Sequence, residues 1–144
     1  MKRKDEGLVY LDSLPGPDEY WDLFNTTGWN SEYGFTREEL GASLERSWYC
    51  ISVYREGCLV GFGRIISDGI HHALIADLIV KPGNQKQGIG REILERLLAQ
   101  CRRERIRDIQ LFAARGKGAF YEHLGFTRRD EEAPGMEYLY DISR

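Results

Sequence analysis

Cysteine is scarce in this chain: Cys50, Cys58 and Cys101 are all it has. An odd number with no C-x-x-C spacing suggests neither a disulfide framework nor a zinc site, so reduced thiols in the cytosol are the expectation. Long hydrophobic runs are missing as well. The longest, Ala73 to Val80, is broken by Asp77, and no apolar stretch of the secretory kind follows the basic start MKRKDEG. A soluble, cytoplasmic protein without membrane contact is expected. Charge of one sign is lacking too, with 20 Lys and Arg against 23 Asp and Glu and a formal net charge of −3. Binding to nucleic acid through its phosphates needs a basic surface, and no Lys/Arg block provides one. No repeat, low-complexity tract or linker divides the 144 residues, and 42% hydrophobic residues can supply one core, so a single domain over residues 1–144 is expected.

Periodicity and turn residues give the order of elements. Residues 17–47 suggest two short helices separated by a polar, glycine-containing turn, and Thr36 followed by Glu39 has the spacing of a capping box. From Trp48 the period is two. WYCISVY predicts a strand, REG a turn, and CLVGFGRIIS a second strand ending at Asp68-Gly69, a type I′ hairpin signal; IHHALIADLIV then returns as a third antiparallel strand. Beyond a loop, Ile89, Ile93, Leu97 and Leu94, Leu98, Cys101 lie one turn apart on an amphipathic helix. The strand IRDIQLFAA, reached through that helix, is parallel to the strand before it. GAFYEHLGF predicts a short helix closed by Gly125, and GMEYLYDI alternates as a last strand. The sum is an α+β, or mixed α/β, domain built on a mixed sheet.

The loop KPGNQKQGIG carries the chemistry. Pro82 ends the strand, and Gly83, Gly88 and Gly90 let a ligand approach the backbone with no Cβ in the way. Free N–H groups at Gly88 to Arg91, at the positive end of a helix, suit a pyrophosphate. A dinucleotide fingerprint needs a further glycine where Ile93 stands, and a P-loop needs G-K-[ST]; neither is present. Taken alone, the glycines fit a tight turn equally well.

Two longer marks settle the resemblance. Gln85 to Gly90, Q-K-Q-G-I-G, matches [QR]-x-x-G-x-[GA] between a strand ending in V-x-P and an amphipathic helix, and Ala119 to Phe126, AFYEHLGF, resembles A-x-x-F-Y-x-x-x-G-F in compressed form. Together they resemble the GNAT N-acetyltransferase superfamily from about Trp48 to the C-terminus. The resemblance implies a three-layer fold, with helices flanking a central mixed sheet of about six or seven strands. It also implies a V-shaped splay between the strand ending at Val80 and the strand around Ile109 to Ala113. Acetyl-CoA would be the co-substrate, with no metal. Its pantetheine arm would lie in the splay beside Phe120, and its pyrophosphate on the amides of Gln85, Lys86, Gln87, Gly88, Ile89, Gly90 and Arg91.

Acyl transfer to an amine needs donors for an oxyanion, an acid for the departing thiolate and a route for the amine proton. The resemblance offers the N–H groups of Ile79 and Val80 as donors and Tyr121 as the acid; a phenol of ordinary pKa about 10 keeps its proton at neutral pH. For the base, Asp77 is one candidate. Period two places it with Ile75 and Ile79, and the alternatives are a salt bridge of Asp77 with Arg64 and a water chain. Adjacent in a strand, His71 and His72 are expected to face opposite ways and not to share a metal, and His123 lies on the helix of Tyr121. Lys86, Arg91, Arg115 and Lys117 are candidates for the CoA phosphates or simply solvated charge. LFAA, FYEHLGF and PGMEYLY resemble a branch that includes plant arylalkylamine (serotonin-type) N-acetyltransferases and small bacterial relatives. This implies a small primary amine as partner, aromatic or a polyamine, with Trp29, Phe35, Arg64, Met136 and Tyr138 near the acceptor mouth. The rival readings are a protein-lysine or N-terminal acceptor and a CoA-binding module without turnover. Dimers are common in the superfamily that this chain resembles, so the resemblance offers a homodimer as the assembly.

Overall fold

The structure is a computed structural model and describes residues 6–141. Met1 to Asp5, the basic start, and Ile142, the end of the expected last strand, lie outside the described residues. The chain divides into two compact units, Met1–Leu111 and Phe112–Arg144.

In the first unit the elements run β1 (Leu8–Leu11), α1 (Pro17–Asn25), α2 (Asn30–Tyr33), α3 (Arg37–Leu44), β2 (Tyr49–Arg55), β3 (Cys58–Ser67), β4 (His72–Val80), α4 (Ile89–Arg103) and β5 (Asp108–Leu111). The strands form one sheet in the order β1-β2-β3-β4-β5, antiparallel except for the parallel pair β4·β5. Among the described residues five strands stand where the resemblance implies about six or seven. One strand fewer follows from residues 135–141, which form none: they alternate in sequence, and the Tyr138 and Tyr140 rings lie 6.0 Å apart, but a strand exists only through its ladder. Both short N-terminal helices are present as α1 and α3, and the turn between them contains the single-turn α2. Thr36 caps α3 as its spacing predicts: its hydroxyl accepts from Glu39 N at 3.1 Å, and Glu39 Oε1 accepts from Thr36 N at 3.0 Å.

One of the two hairpin turns differs from the sequence expectation. Glu56 and Gly57, between β2 and β3, both have positive φ (51° and 78°), the requirement of a tight I′ turn. Asp68-Gly69 instead starts a four-residue loop, because the Asp68 carboxylate accepts the N–H groups of Ile70, His71 and His72.

Helices cover both faces of the sheet. The buried stripe Ile89, Ile93, Leu94, Leu97 and Cys101 of α4 lies on one face; on the other, Tyr20, Leu23, Phe24, Leu40 and Leu44 of α1 and α3 pack with Cys50, Phe62 and Ile79. Close approach of α4 depends on β3 having glycine at alternate positions. A Cβ on Gly63 would lie 2.7 Å from Ile93 Cγ2 and 3.1 Å from Leu97 Cδ1. Gly63→Ala is therefore expected to lower unfolding free energy by about 1–3 kcal/mol, the usual range for overpacking, measured as a lower urea midpoint at unchanged slope.

The second unit contains α5 (Gly118–His123). Gly125 follows it at φ 98°, the left-handed position expected after a helix, and Phe126 N donates to Tyr121 O at 3.1 Å.

Candidate active site

The site is built around an irregularity in β4. Arg64 pairs with Ala76 and Phe62 with Ile79, so three steps on β4 match two on β3, and Asp77 and Leu78 together oppose Gly63. This is a β-bulge, and Asp77 within it has φ 54°, a conformation uncommon for a residue with a side chain. The extra residue overturns the period-two assignment of Asp77 with Ile75 and Ile79. Ile75 sits opposite Ile65 and Ile79 opposite Phe62, positions three apart on β3, so the two isoleucines face opposite sides. The Asp77 carboxylate meets Arg64, accepting from its Nε at 2.7 Å, with side-chain exposures of 22% and 12%. Arg64 Nη1 also donates to Ser43 O at 2.8 Å, tying the pair to the end of α3. Tyr20 lies in the same field. Burial, then the charge of Asp77, push its phenol pKa well above the ordinary value, and Arg64 opposes this.

Beyond the bulge β4 loses its outer partner. It pairs with β5 only from His72 to Ile75, and continues to Val80 without a β5 ladder. The ladder ends where the resemblance implies that the sheet opens. Lys81 N donates to Val60 O at 2.8 Å, so by the alternation of an antiparallel ladder the next residue, Val80, faces away from β3. Its carbonyl confirms the direction by accepting from Gln85 Nε2 at 3.0 Å outside the ladder. The N–H of Val80 points the same way, toward the splay, while that of Ile79 points toward β3.

The loop after β4 is held from β2. Arg55 Nη1 donates to Asn84 Oδ1 at 2.7 Å and to Gln87 Oε1 at 3.0 Å, and Asn84 N donates to Lys81 O at 2.9 Å. Arg55 and Asn84 are supports of the loop that sequence reasoning missed; their only signal is a polar residue opposite a polar loop in a pairing the sequence does not reveal. Lys86 (φ 61°), Gly83 (φ 91°) and Gly88 (φ 85°) turn the chain, and a Cβ built on Gly83 or Gly88 meets nothing within 4 Å. The backbone face of the loop is open. The first hydrogen bond at the head of α4 runs from Glu92 N to Gly88 O at 3.1 Å, so the N–H groups of Ile89, Gly90 and Arg91 precede the helical ladder. Ile89 is 1% exposed, so its side chain belongs to the core, and the Arg91 guanidinium pairs with Glu95 at 3.0 Å.

The expected acceptor residues of the first unit lie on or near the α1/α3 side. Trp29 packs edge-on against Phe24 at 5.9 Å, and Phe35 stacks on the exposed Tyr33 at 5.4 Å. In the second unit Tyr121 contacts Phe120 at 5.1 Å and Phe126 at 6.0 Å, and burial raises its phenol pKa above the ordinary value. Met136 and Tyr138 are both 86% exposed. The histidines depart from expectation: His71 belongs to the Asp68 loop, and its ring stacks on that of His72 at 3.8 Å instead of facing away.

A mixed sheet opening beside an amide-lined helix start is an acetyltransferase architecture, and the comparisons agree. The acetyltransferase (GNAT) domain family matches residues 46–128. The chain belongs to the GNAT acetyltransferase family. It is 35% identical over 112 residues, 73% of this chain, to serotonin N-acetyltransferase 2, chloroplastic, of Oryza sativa subsp. japonica. Over 129 residues, 80% of the chain, it is 30% identical to histone acetyltransferase TAP1 of Glycine max. The match spans 56% of each of these plant proteins. A crystal structure of a probable acetyltransferase of unknown function from meticillin-resistant Staphylococcus aureus superposes with a TM-score of 0.80. It covers 92% of this chain and 99% of that one at 23% identity, a likeness of fold. GNAT enzymes use acetyl-CoA as co-substrate, and the open backbone at Gly88 with the amides of Ile89 to Arg91 fits its pyrophosphate. No described helix is long and apolar enough to cross a membrane.

Proposed function

We propose that this chain is an acetyl-CoA-dependent N-acetyltransferase that acts on a small primary amine by direct attack in a ternary complex. The observation that carries the proposal is the open amide face at the head of α4, adjoining the unpaired edge of β4. Acetyl-CoA supplies the acetyl group as a thioester. The amides of Gly88 to Arg91 bind its pyrophosphate, with Gln85, Lys86 and Gln87 shaping the loop and Phe120 beside the cofactor. The N–H of Val80 donates to the thioester oxygen as negative charge develops there. Nitrogen bonds to the carbonyl carbon, the C–S bond breaks, and the sulfur leaves with the electron pair. Tyr121 gives its proton to that thiolate, and the amine proton departs to water. Asp77 is already engaged by Arg64, so its assigned role is to position the bulge that turns Val80 outward.

A small aromatic amine or a polyamine is the proposed acceptor. The aromatic residues between α1 and α3, Trp29, Tyr33 and Phe35, support this choice, as does the likeness to a protein named for serotonin. The likeness to a histone acetyltransferase makes a lysine-bearing peptide the comparison substrate. A homodimer belongs to the same proposal.

The test begins with calorimetric titration of acetyl-CoA. The wild-type protein is expected to bind it, and Gly88→Ala is expected to bind at least ~10-fold more weakly. A Cβ at φ 85° costs roughly 1–2 kcal/mol of backbone strain, at a residue whose amide the proposal gives to the pyrophosphate. A folded wild-type protein that does not bind acetyl-CoA would overturn the proposal. With binding established, thiol release across amines and a lysine peptide identifies the acceptor class.

A further inference from the structure

At the other end of β4, some eight residues from Val80 and so on the order of 25 Å away along the strand, lies a group of side chains with no part in acetyl transfer. One ligand atom each from His71, His72 and Asp108 lie within 4.8 Å of one another. We propose that these three residues form a binding site for a divalent transition metal, Zn2+ by preference, that clips β4 to β5. His72 and Asp108 are register partners in the β4·β5 pair, so an ion held between them would cross-link two strands distant in sequence.

Donor chemistry supports the proposal. Two imidazoles and a carboxylate are the ligand types that zinc takes in three-residue sites, with water filling the remaining position. Adjacent zinc ligands in a tetrahedral site lie ~3.3 Å apart. His72 Nδ1 is now 2.7 Å from Asp108 Oδ2, so that pair must open by under an ångström and the widest pair must close by about 1.5 Å. Half-exposed side chains accommodate such shifts. Supporting contacts are also present: Gln110 Nε2 donates to Asp108 Oδ1 at 2.9 Å, which orients the carboxylate and leaves Oδ2 for the ion. Asp68 Oδ1 gathers the N–H groups of Ile70, His71 and His72, which is why the two rings lie side by side. A hollow of about 430 Å³, lined in part by His72, Asp108 and Gln110, gives water access to the ion.

The inference is independent of the acetyltransferase reading and is tested on the full chain carrying Cys58→Ser, which removes the exposed thiol. Chelator-treated protein is titrated calorimetrically with Zn2+, with Mg2+ as the hard-cation control, and thermal melting is recorded with and without Zn2+. One equivalent of Zn2+ is expected to bind, with a raised melting temperature and no response to Mg2+. Asp108→Asn and His71→Asn should each weaken binding by at least ~10-fold and abolish the thermal shift, while Gln110→Ala should weaken it by roughly 10-fold through loss of ligand orientation. His71 and Asp108 lie at the surface or half-buried, and melting of the metal-free variants near the parent temperature confirms that they fold. Absence of Zn2+ binding below ~100 µM, or equal affinity in Asp108→Asn and parent, would overturn the site.

Discussion

Tyr121→Phe is expected to lower kcat by ~10²-fold or more, the usual contribution of a positioned acid, with acetyl-CoA affinity changed by no more than about twofold. Phenylalanine keeps the ring contacts with Phe120 and Phe126 and removes only the hydroxyl. Thiol release gives kcat, and calorimetry gives the affinity. A pH profile adds an independent readout. Burial raises the Tyr121 pKa above the ordinary value of about 10, so the phenol holds its proton through neutral pH and loses it only at higher pH. The wild-type enzyme should therefore retain its turnover past pH 10 and decline beyond, and the phenylalanine variant should lack that alkaline limb. Unchanged turnover would remove Tyr121 from the mechanism. No turnover in either protein, with acetyl-CoA still bound, would favour a CoA-binding module.

Local signals were legible in the sequence wherever one segment decides its own structure. The capping box at Thr36 and Glu39, the apolar stripe of α4 and the left-handed Gly125 all appear where spacing puts them, because each depends on residues within one or two turns. The loop from Gln85 to Arg91 was equally legible, since glycine and the start of a helical period occur together. What escaped depends on pairing between distant segments. The bulge at Asp77 carries no glycine to mark it, and one extra residue in β4 is enough to place Ile75 and Ile79 on opposite faces. The sequence alternates in the same way with or without it. Residues 135–141 show the converse: they alternate as a strand would, but alternation makes a strand possible and only a ladder makes one. Similarly, opposite faces for His71 and His72 require both to lie in β4. Asp68, by capping three amides, keeps His71 out of it.

Asp77→Asn is expected to cost about 2–4 kcal/mol of stability, the range for removing one partner of a poorly solvated ion pair. That is a fall in melting temperature of roughly 5–12 °C for a chain of this size. Asparagine is the informative replacement because it matches the shape of aspartate and tolerates the left-handed φ of 54°, so the loss reports charge rather than backbone strain. Without the carboxylate charge, Arg64 stays 12% exposed with neutral acceptors among the described residues, the asparagine amide oxygen, Ser43 O and the longer contact to Ser47 Oγ. A cycle with Arg64→Met should recover part of the loss, with a coupling of about 1–3 kcal/mol. The same variant separates the two roles open to Asp77. As a positioning residue it should alter kcat by less than about 10-fold and leave the shape of the pH profile intact; as the general base its loss should lower kcat by ~10²-fold or more with little change in melting. Tyr20 offers a spectroscopic check on the same electrostatics. The charge of Asp77 helps hold its phenol pKa up, so this pKa should fall in Asp77→Asn and rise in Arg64→Met. Because the folded-state pKa is raised, the contribution of Tyr20 to stability is fully present below pH 10 and is lost as pH rises above it. The alkaline loss of stability should accordingly begin near pH 10 in both proteins and be larger, running to higher pH, in the wild-type protein than in Asp77→Asn, once both curves are referred to their stability at pH 8. The opposite order would mean that Asp77 and Tyr20 do not share one field, and the positioning role would lose its electrostatic basis.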